Sequence, residues 1–177
     1  MKEIAKNPGK LFEDDFKASL GDLWYKRLND NASSWAGGNN TRFTSTNECD
    51  YLLFDDESRT LYACELKSTQ STLTYWREDF EDKTKKQSFN IKKNQILGLQ
   101  KWSQYCMVCG FIFNFRNKDN RTYFVTIDDF LDYTNELDKK SINIDDILQT
   151  NPIEIGCEKK RTRYRYNIEK FIKECHL

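Results

Sequence analysis

NECDYLLFDDESRTLYACELK, residues 47–67, decides the reading of this chain. Two apolar runs, Tyr51–Phe54 and Thr60–Lys67, are separated by the polar stretch Asp55–Arg59, the pattern of two strands joined as a hairpin. Side chains two apart on a strand share a face, so Glu65 and Lys67 project together while Cys64 and Leu66 project to the other side. The hairpin brings Asp50, at the entry to the first strand, alongside them. Two carboxylates and the carbonyl of Leu66 suit a hard divalent ion, with Mg2+ the natural candidate and Mn2+ its substitute. Lys67 beside such an ion can orient and deprotonate an attacking water or balance charge growing on a phosphodiester. As a bare pattern an acid followed by Glu-x-Lys is weak, because acids and lysines abound here and a solvated hairpin edge matches it by chance. Context favours chemistry: residues 61–64 are apolar just before Glu65, and charges are rarely idle at the ends of buried strands.

Working outward, Leu11, Phe12, Phe16, Leu20, Leu23 and Trp24 recur at helical steps and predict an amphipathic helix from Gly9 to about Arg27. Residues 31–46 carry turn signals and read as a loop or short stalk. The polar stretch 70–92 carries no clear assignment. Gln95, Ile96, Leu99 and Trp102 predict a helix within 91–105, and 107–115 is apolar enough for a central buried strand. A strand follows at 121–127, then a helix capped by Asp128 and running to about Leu137, a short element at Asp145, and a strand at 161–166 before a terminal helix capped by Asn167. The whole is an α/β chain, a single domain over 1–177, with a mixed sheet flanked by helices.

Composition agrees with one domain. At 177 residues the chain has the size of a single core. Twelve Phe, nine Tyr and four Trp supply apolar bulk that a 38% hydrophobic fraction otherwise lacks. The longest apolar stretch, Cys106–Phe113, is far short of the roughly 20 residues that span a bilayer, and the first residues hold no secretory core. A cytoplasmic protein without a membrane partner is expected, with its six cysteines reduced. Cys106 and Cys109 form a CxxC that reads as lying within a strand, where positions three apart face opposite ways, so both are expected as small apolar groups. The single histidine, His176, is at a terminus expected to fray, which argues against His-dependent triads and zinc chemistry. Lys plus Arg equal Asp plus Glu at 28 each, yet residues 83–93 and 159–165 are basic and 128–146 acidic, so separate charged faces are expected.

The chain resembles the PD-(D/E)xK nuclease superfamily and, within it, the RecU-type Holliday junction resolvases of Gram-positive bacteria and their phages. The likeness runs through GKLFEDDF (9–16), NECDY (47–51), ACELK (63–67) and SFNIKKNQI (88–96), and resumes near GFIFNF (110–115) and NPIEIG (151–156). The resemblance implies a restriction-endonuclease-like fold, metal binding by Asp50, Glu65 and Gln95, Lys67 as the catalytic residue stabilising the transition state, and Glu13 as a further acid aimed at the site. It also implies a homodimer that cuts opposing strands of four-way DNA. The chain departs from that family in having Glu48 where a Thr is usual two residues before the aspartate. It has a longer stretch between Lys67 and Ser88, and only Arg42 as a cation within 31–46.

Other readings stand beside this one. The same fold can serve a nuclease of other DNA specificity, or a module that binds DNA or protein without catalysis; an RNase H-like resolvase leaves Lys67 and Gln95 unexplained. For DNA contact the candidates are Arg42, Lys92, Lys93, Arg161, Arg163 and Arg165, with Tyr164 and Tyr166 either stacking on bases or half-buried in an edge strand.

Overall fold

The computed structural model describes residues 7–28, 47–82, 84 and 87–176. Helix α1 (Pro8–Lys17) opens the chain, followed by strands β1 (Trp24–Arg27), β2 (Tyr51–Asp55), β3 (Thr60–Thr69) and β4 (Leu73–Thr74). A short 3-10 turn (Glu78–Phe80) leads to helix α2 (Lys93–Ser103) and strands β5 (Val108–Phe115) and β6 (Arg121–Thr126). Helix α3 (Ile127–Asn135), β7 (Ser141–Ile142), α4 (Ile144–Ile147), β8 (Ile153–Glu154), β9 (Cys157–Lys160), β10 (Arg163–Tyr166) and α5 (Ile168–Glu174) complete it. The main sheet has the order β1-β2-β3-β5-β6-β8. Strands β3 and β5 run parallel and the other neighbours antiparallel, giving a mostly antiparallel mixed sheet. A parallel pair needs a long crossover, and the segment containing α2 supplies it.

Alternation on the central strands divides the core. Tyr62, Cys64 and Leu66 of β3, with Ile112 of β5 and Phe124 of β6, pack under Phe12 and Phe16 of α1 and Phe171 of α5. Ala63, Phe111, Phe113, Tyr123 and Val125 face the opposite layer, where Ile96 and Leu99 of α2 and Phe130 of α3 cover them. With both faces covered, β5 is buried along nearly its whole length, which explains its continuous apolar sequence. The Asn114 amide on β5 is buried too, and it donates to Asn120 Oδ1 at 2.9 Å and Thr122 Oγ1 at 3.0 Å.

The segment expected as one helix from Gly9 to Arg27 is two elements. Pro8 sits in the first turn, where its missing N–H costs nothing, but the helix ends at Lys17 and Gly21 turns the chain at φ +57°. Trp24, 54% exposed, lies on β1, whose backbone pairs with β2 from Trp24↔Phe54 to Arg27↔Tyr51. Edge pairing of the hairpin thus overrides a helical spacing of apolar residues. Three smaller expectations also change. Thr126, not Asp128, caps α3, accepting from Asp129 N at 3.1 Å. Cys106 is exposed at φ +59° ahead of β5, whereas Cys109 is buried within it. His176, though exposed, is held: its Nε2 is 2.7 Å from the buried Tyr62 hydroxyl, which ties the C-terminus to the sheet. The loop expected at 31–46, with Arg42, lies outside the described residues.

Among the described residues no helix is long and apolar enough to cross a membrane.

Candidate active site

The hairpin register brings the acids together. Tyr51 faces Cys64 at the last registered pair of β2 and β3, so the next step carries Asp50 and Glu65. Asp50 is fixed by its own main chain: its N–H donates to Cys64 O at 3.1 Å and its carbonyl accepts from Leu28 N at 2.8 Å. Its side chain then reaches across, Oδ2 accepting from Leu66 N at 2.8 Å, which sets the carboxylate against the peptide between Glu65 and Lys67. Burial pushes the Asp50 carboxyl above its ordinary value. The Glu13 charge adds to that shift, and the Leu66 N–H, Lys67 and Arg27 offset it only in part.

Glu65 is 4% exposed, and its Oε1 accepts from Lys67 Nζ at 2.8 Å and from Gln95 Nε2. Gln95 occupies the first turn of α2, where its Oε1 accepts from Lys92 N at 2.9 Å. Its oxygen thereby caps the helix while its amino group faces the carboxylate, so Gln95 in this orientation meets Glu65 through its amino group. One turn along α2, Gly98 lies under Glu48: a Cβ built at Gly98 would stand 2.4 Å from Glu48 Cβ and 2.2 Å from its Cγ. Asn94 Nδ2 donates to Asn47 O at 3.0 Å beside this contact. Glu48, the acid that departs from the resolvase pattern, therefore packs its stem on the helix that carries Gln95.

Glu13 approaches from α1. It accepts from Arg27 Nη2 at 2.9 Å and Lys10 Nζ at 3.1 Å. Glu65, Lys67 and Gln95 are thus joined by hydrogen bonds, Asp50 is tied to the same strand through Leu66 N, and Glu13 is close enough to raise Asp50. Arg27, which bridges this group to β1, was not expected; it was hidden by the helical reading of 9–27. Among the described residues no three His, Cys, Asp or Glu side chains cluster as a metal cage. The register sets two acids side by side, Asp50 bonded to Leu66 N and Glu65 to Lys67 and Gln95, and carboxylate oxygens are the donor type a hard divalent cation takes.

The basic candidates are dispersed. Lys92 is exposed at the start of α2, and Lys93 pairs with Glu81 at 3.1 Å while lying 4.6 Å over the Trp76 ring. Arg161 is exposed in the β9–β10 turn at φ +53°. Arg163 donates through Nε to the buried Asp15 of α1 at 2.6 Å, and Arg165 Nη1 lies 3.8 Å from the same carboxylate. Tyr166 is buried, its hydroxyl accepting from Asn120 Nδ2 at 2.9 Å, which removes it from base stacking.

No protein-family model matches the chain. It is 33% identical to the SPbeta prophage-derived uncharacterized protein YotM of Bacillus subtilis (strain 168), over 96% of this chain and 87% of that protein. The chain belongs to the YotM family. Because the alignment runs over nearly the full length, the family extends across α1, the hairpin and α2, the three elements that build the site.

Proposed function

We propose that this member of the YotM family is a divalent-metal-dependent DNA endonuclease of the PD-(D/E)xK fold that cuts four-way junctions. The observation that carries the reading is the bond from Leu66 N to Asp50 Oδ2, which sets one carboxylate between Glu65 and Lys67. A mixed sheet flanked by helices agrees with that fold class, and the prophage origin of the relative agrees with a phage enzyme. Junction specificity and the homodimer rest on the sequence resemblance. The single cation within 31–46 favours, as a second reading, a nuclease of other DNA specificity.

In this mechanism Asp50 and Glu65 would hold a divalent cation, which when bound would supply Lewis-acid polarisation of the scissile phosphodiester. Gln95 keeps Glu65 oriented through its amino group. Lys67, anchored at 2.8 Å by Glu65, presents its ammonium to charge developing on the phosphate oxygens. Glu13, steadied by Arg27, borders the site and accepts a proton from an attacking water. Hydrolysis leaves a 5′-phosphate and a 3′-hydroxyl. The setting is cytoplasmic, where the duplex DNA and Mg2+ are found.

The test is cleavage of a mobile four-way junction beside a linear duplex of the same sequence, with Mg2+ or with EDTA. Paired incisions on the junction alone are expected, and Lys67→Ala should abolish cutting while leaving DNA affinity within about twofold. Equal cutting of both substrates selects the second reading. Full activity in Lys67→Ala refutes the site.

A further inference from the structure

Across α1 from Glu13, the molecule has a pocket with two arginines in its lining. Its volume is about 220 Å3, and Asn114, Arg116, Asn120 and Arg163 line it together with Pro8 and Tyr164. Arg116 follows β5 directly, and its main chain is pinned by a bond from its N–H to Thr69 O at 2.9 Å. Its guanidinium Nε is buried and has no hydrogen-bond partner among the described residues. A buried donor left unmade costs roughly 1–3 kcal/mol, so such a group calls for an acceptor.

Several other polar groups of the pocket are already engaged, Arg163 Nη2 donating to Leu11 O at 3.3 Å. Asp15, the carboxylate in its wall, is taken up by Arg163 Nε at 2.6 Å and Tyr164 N at 3.2 Å. The floor is closed on itself, Ser68 Oγ donating to Asn114 Oδ1 at 2.9 Å and Asn120 Nδ2 to the Tyr166 hydroxyl at 2.9 Å. Two guanidinium groups against one neutralised carboxylate leave the pocket with unspent positive charge, and Pro8 brings the positive end of α1 to its rim. The larger groove at the far end of β2 has the opposite character, being lined by Asp22, Asp55, Glu57 and Glu169 with Lys173.

We infer that the Arg116–Arg163 pocket binds a phosphate group. Drug-sized ligands need cavities of roughly 300 Å3 or more, so the occupant is small, and planar guanidinium forks match phosphate oxygens. Position gives the phosphate a use. Ser68 and Asn114 are paired one step beyond Lys67 and Phe113 and project to the opposite side of the sheet. The pocket therefore lies at the same strand end as Glu65 and Lys67 but on the other face of the sheet, beside α1, where a DNA backbone passing the strand ends would present a neighbouring phosphate. That assignment to DNA rests on the nuclease reading; binding of the anion does not.

Titration of inorganic phosphate at constant ionic strength, with EDTA present, tests the pocket without requiring cleavage. Saturable binding is expected in wild type and equally in Lys67→Ala, with affinity at least tenfold weaker in Arg116→Gln. The Arg116 Nε–H resonance should shift on binding, and circular dichroism should show Arg116→Gln and Arg116→Lys folded. Unsaturable binding overturns the inference, as does equal affinity in Arg116→Gln or loss of binding in Lys67→Ala. Displacement of phosphate by a dinucleoside phosphodiester assigns the pocket to a nucleic-acid backbone. Failure of the dinucleoside to compete overturns that assignment and leaves free phosphate as the ligand.

Discussion

Gly98→Ala is the substitution that most sharply links the packing of α2 to the chemistry of the hairpin. In an exposed helix it would stabilise by about 0.8–1.0 kcal/mol, the difference in helix propensity between Gly and Ala. Here the new methyl would stand 2.4 Å from Glu48 Cβ and 3.4 Å from its Cα, with Cγ nearer still. Carbon atoms pack best at about 3.5–4.0 Å, so the 47–50 segment must retreat by roughly 1 Å. Overpacking of this kind costs about 1–3 kcal/mol, which exceeds the propensity gain and leaves a net loss of about 1 kcal/mol. For a chain of this length that lowers Tm by about 2–4 °C.

The effect on activity is larger, because Asp50 is two residues from the displaced Glu48, and a 1 Å misplacement at a reacting centre costs about 100-fold. Glu48→Gly removes both clashing carbons and exchanges the small residue from helix to loop. In a double-mutant cycle, Gly98→Ala with Glu48→Gly should recover most of the cleavage rate, with a coupling energy of about 1 kcal/mol or more. The assays are thermal denaturation and Mg2+-dependent cleavage of all four proteins. Gly98→Ala more stable than wild type by about 1 kcal/mol, with unchanged cleavage and an additive cycle, would refute the reasoning.

Two further predictions concern single carboxylates. Asp15→Asn keeps the shape of the side chain but removes the charge that holds Arg163 at 2.6 Å; loss of a charge-assisted bond costs about 1.5–3 kcal/mol, so Tm should fall by roughly 5 °C, and a change under about 1 °C would show that the β9–β10 hairpin is held by other contacts. Asp50 has a folded-state pKa raised by burial and by Glu13. Its protonation therefore favours the fold: the contribution is complete below the unfolded carboxylate value near about 4 and is lost as pH rises through the folded value. Without divalent cation, Asp50→Asn should melt above wild type at pH 7, the gap should close toward pH 4, and Mg2+ should raise Tm in wild type alone. A variant that melts lower than wild type at pH 7 would mean that the carboxylate's bond to Leu66 N outweighs its burial.

Period-two patterning made the hairpin legible, because on a strand covered on one face an error of one residue would expose every apolar side chain. Tyr51–Phe54 and Thr60–Lys67 could be registered from their ends alone, and with them the shared face of Glu65 and Lys67. Helical spacing misled at 23–27. Leu20, Leu23 and Trp24 fit a helical stripe as sequence, but Gly21 at positive φ breaks it and β1 satisfies its backbone by pairing with β2. Arg27 was lost with that strand. It becomes visible as a partner of Glu13 only when two segments 14 residues apart are brought side by side.

The parts of the site that sequence could not supply are those set by approach between elements. Nothing in the sequence ties Gly98, in the middle of a helix, to Glu48, which stands there only as a departure from the resolvase pattern. Their contact explains both: the glycine lets the segment before β2 lie against α2, so that Asn94 holds Asn47 and Gln95 reaches Glu65 from the same helix. The basic residues show the corresponding effect. Charge runs in sequence count Arg163 as a cation for a ligand, but Asp15 on α1 claims its Nε, while Arg116, isolated in sequence after an apolar strand, keeps a buried donor unspent. Which cations remain available to a phosphate is thus decided by the carboxylates that folding brings to them, and the density of lysine and arginine along the chain carries little of that information.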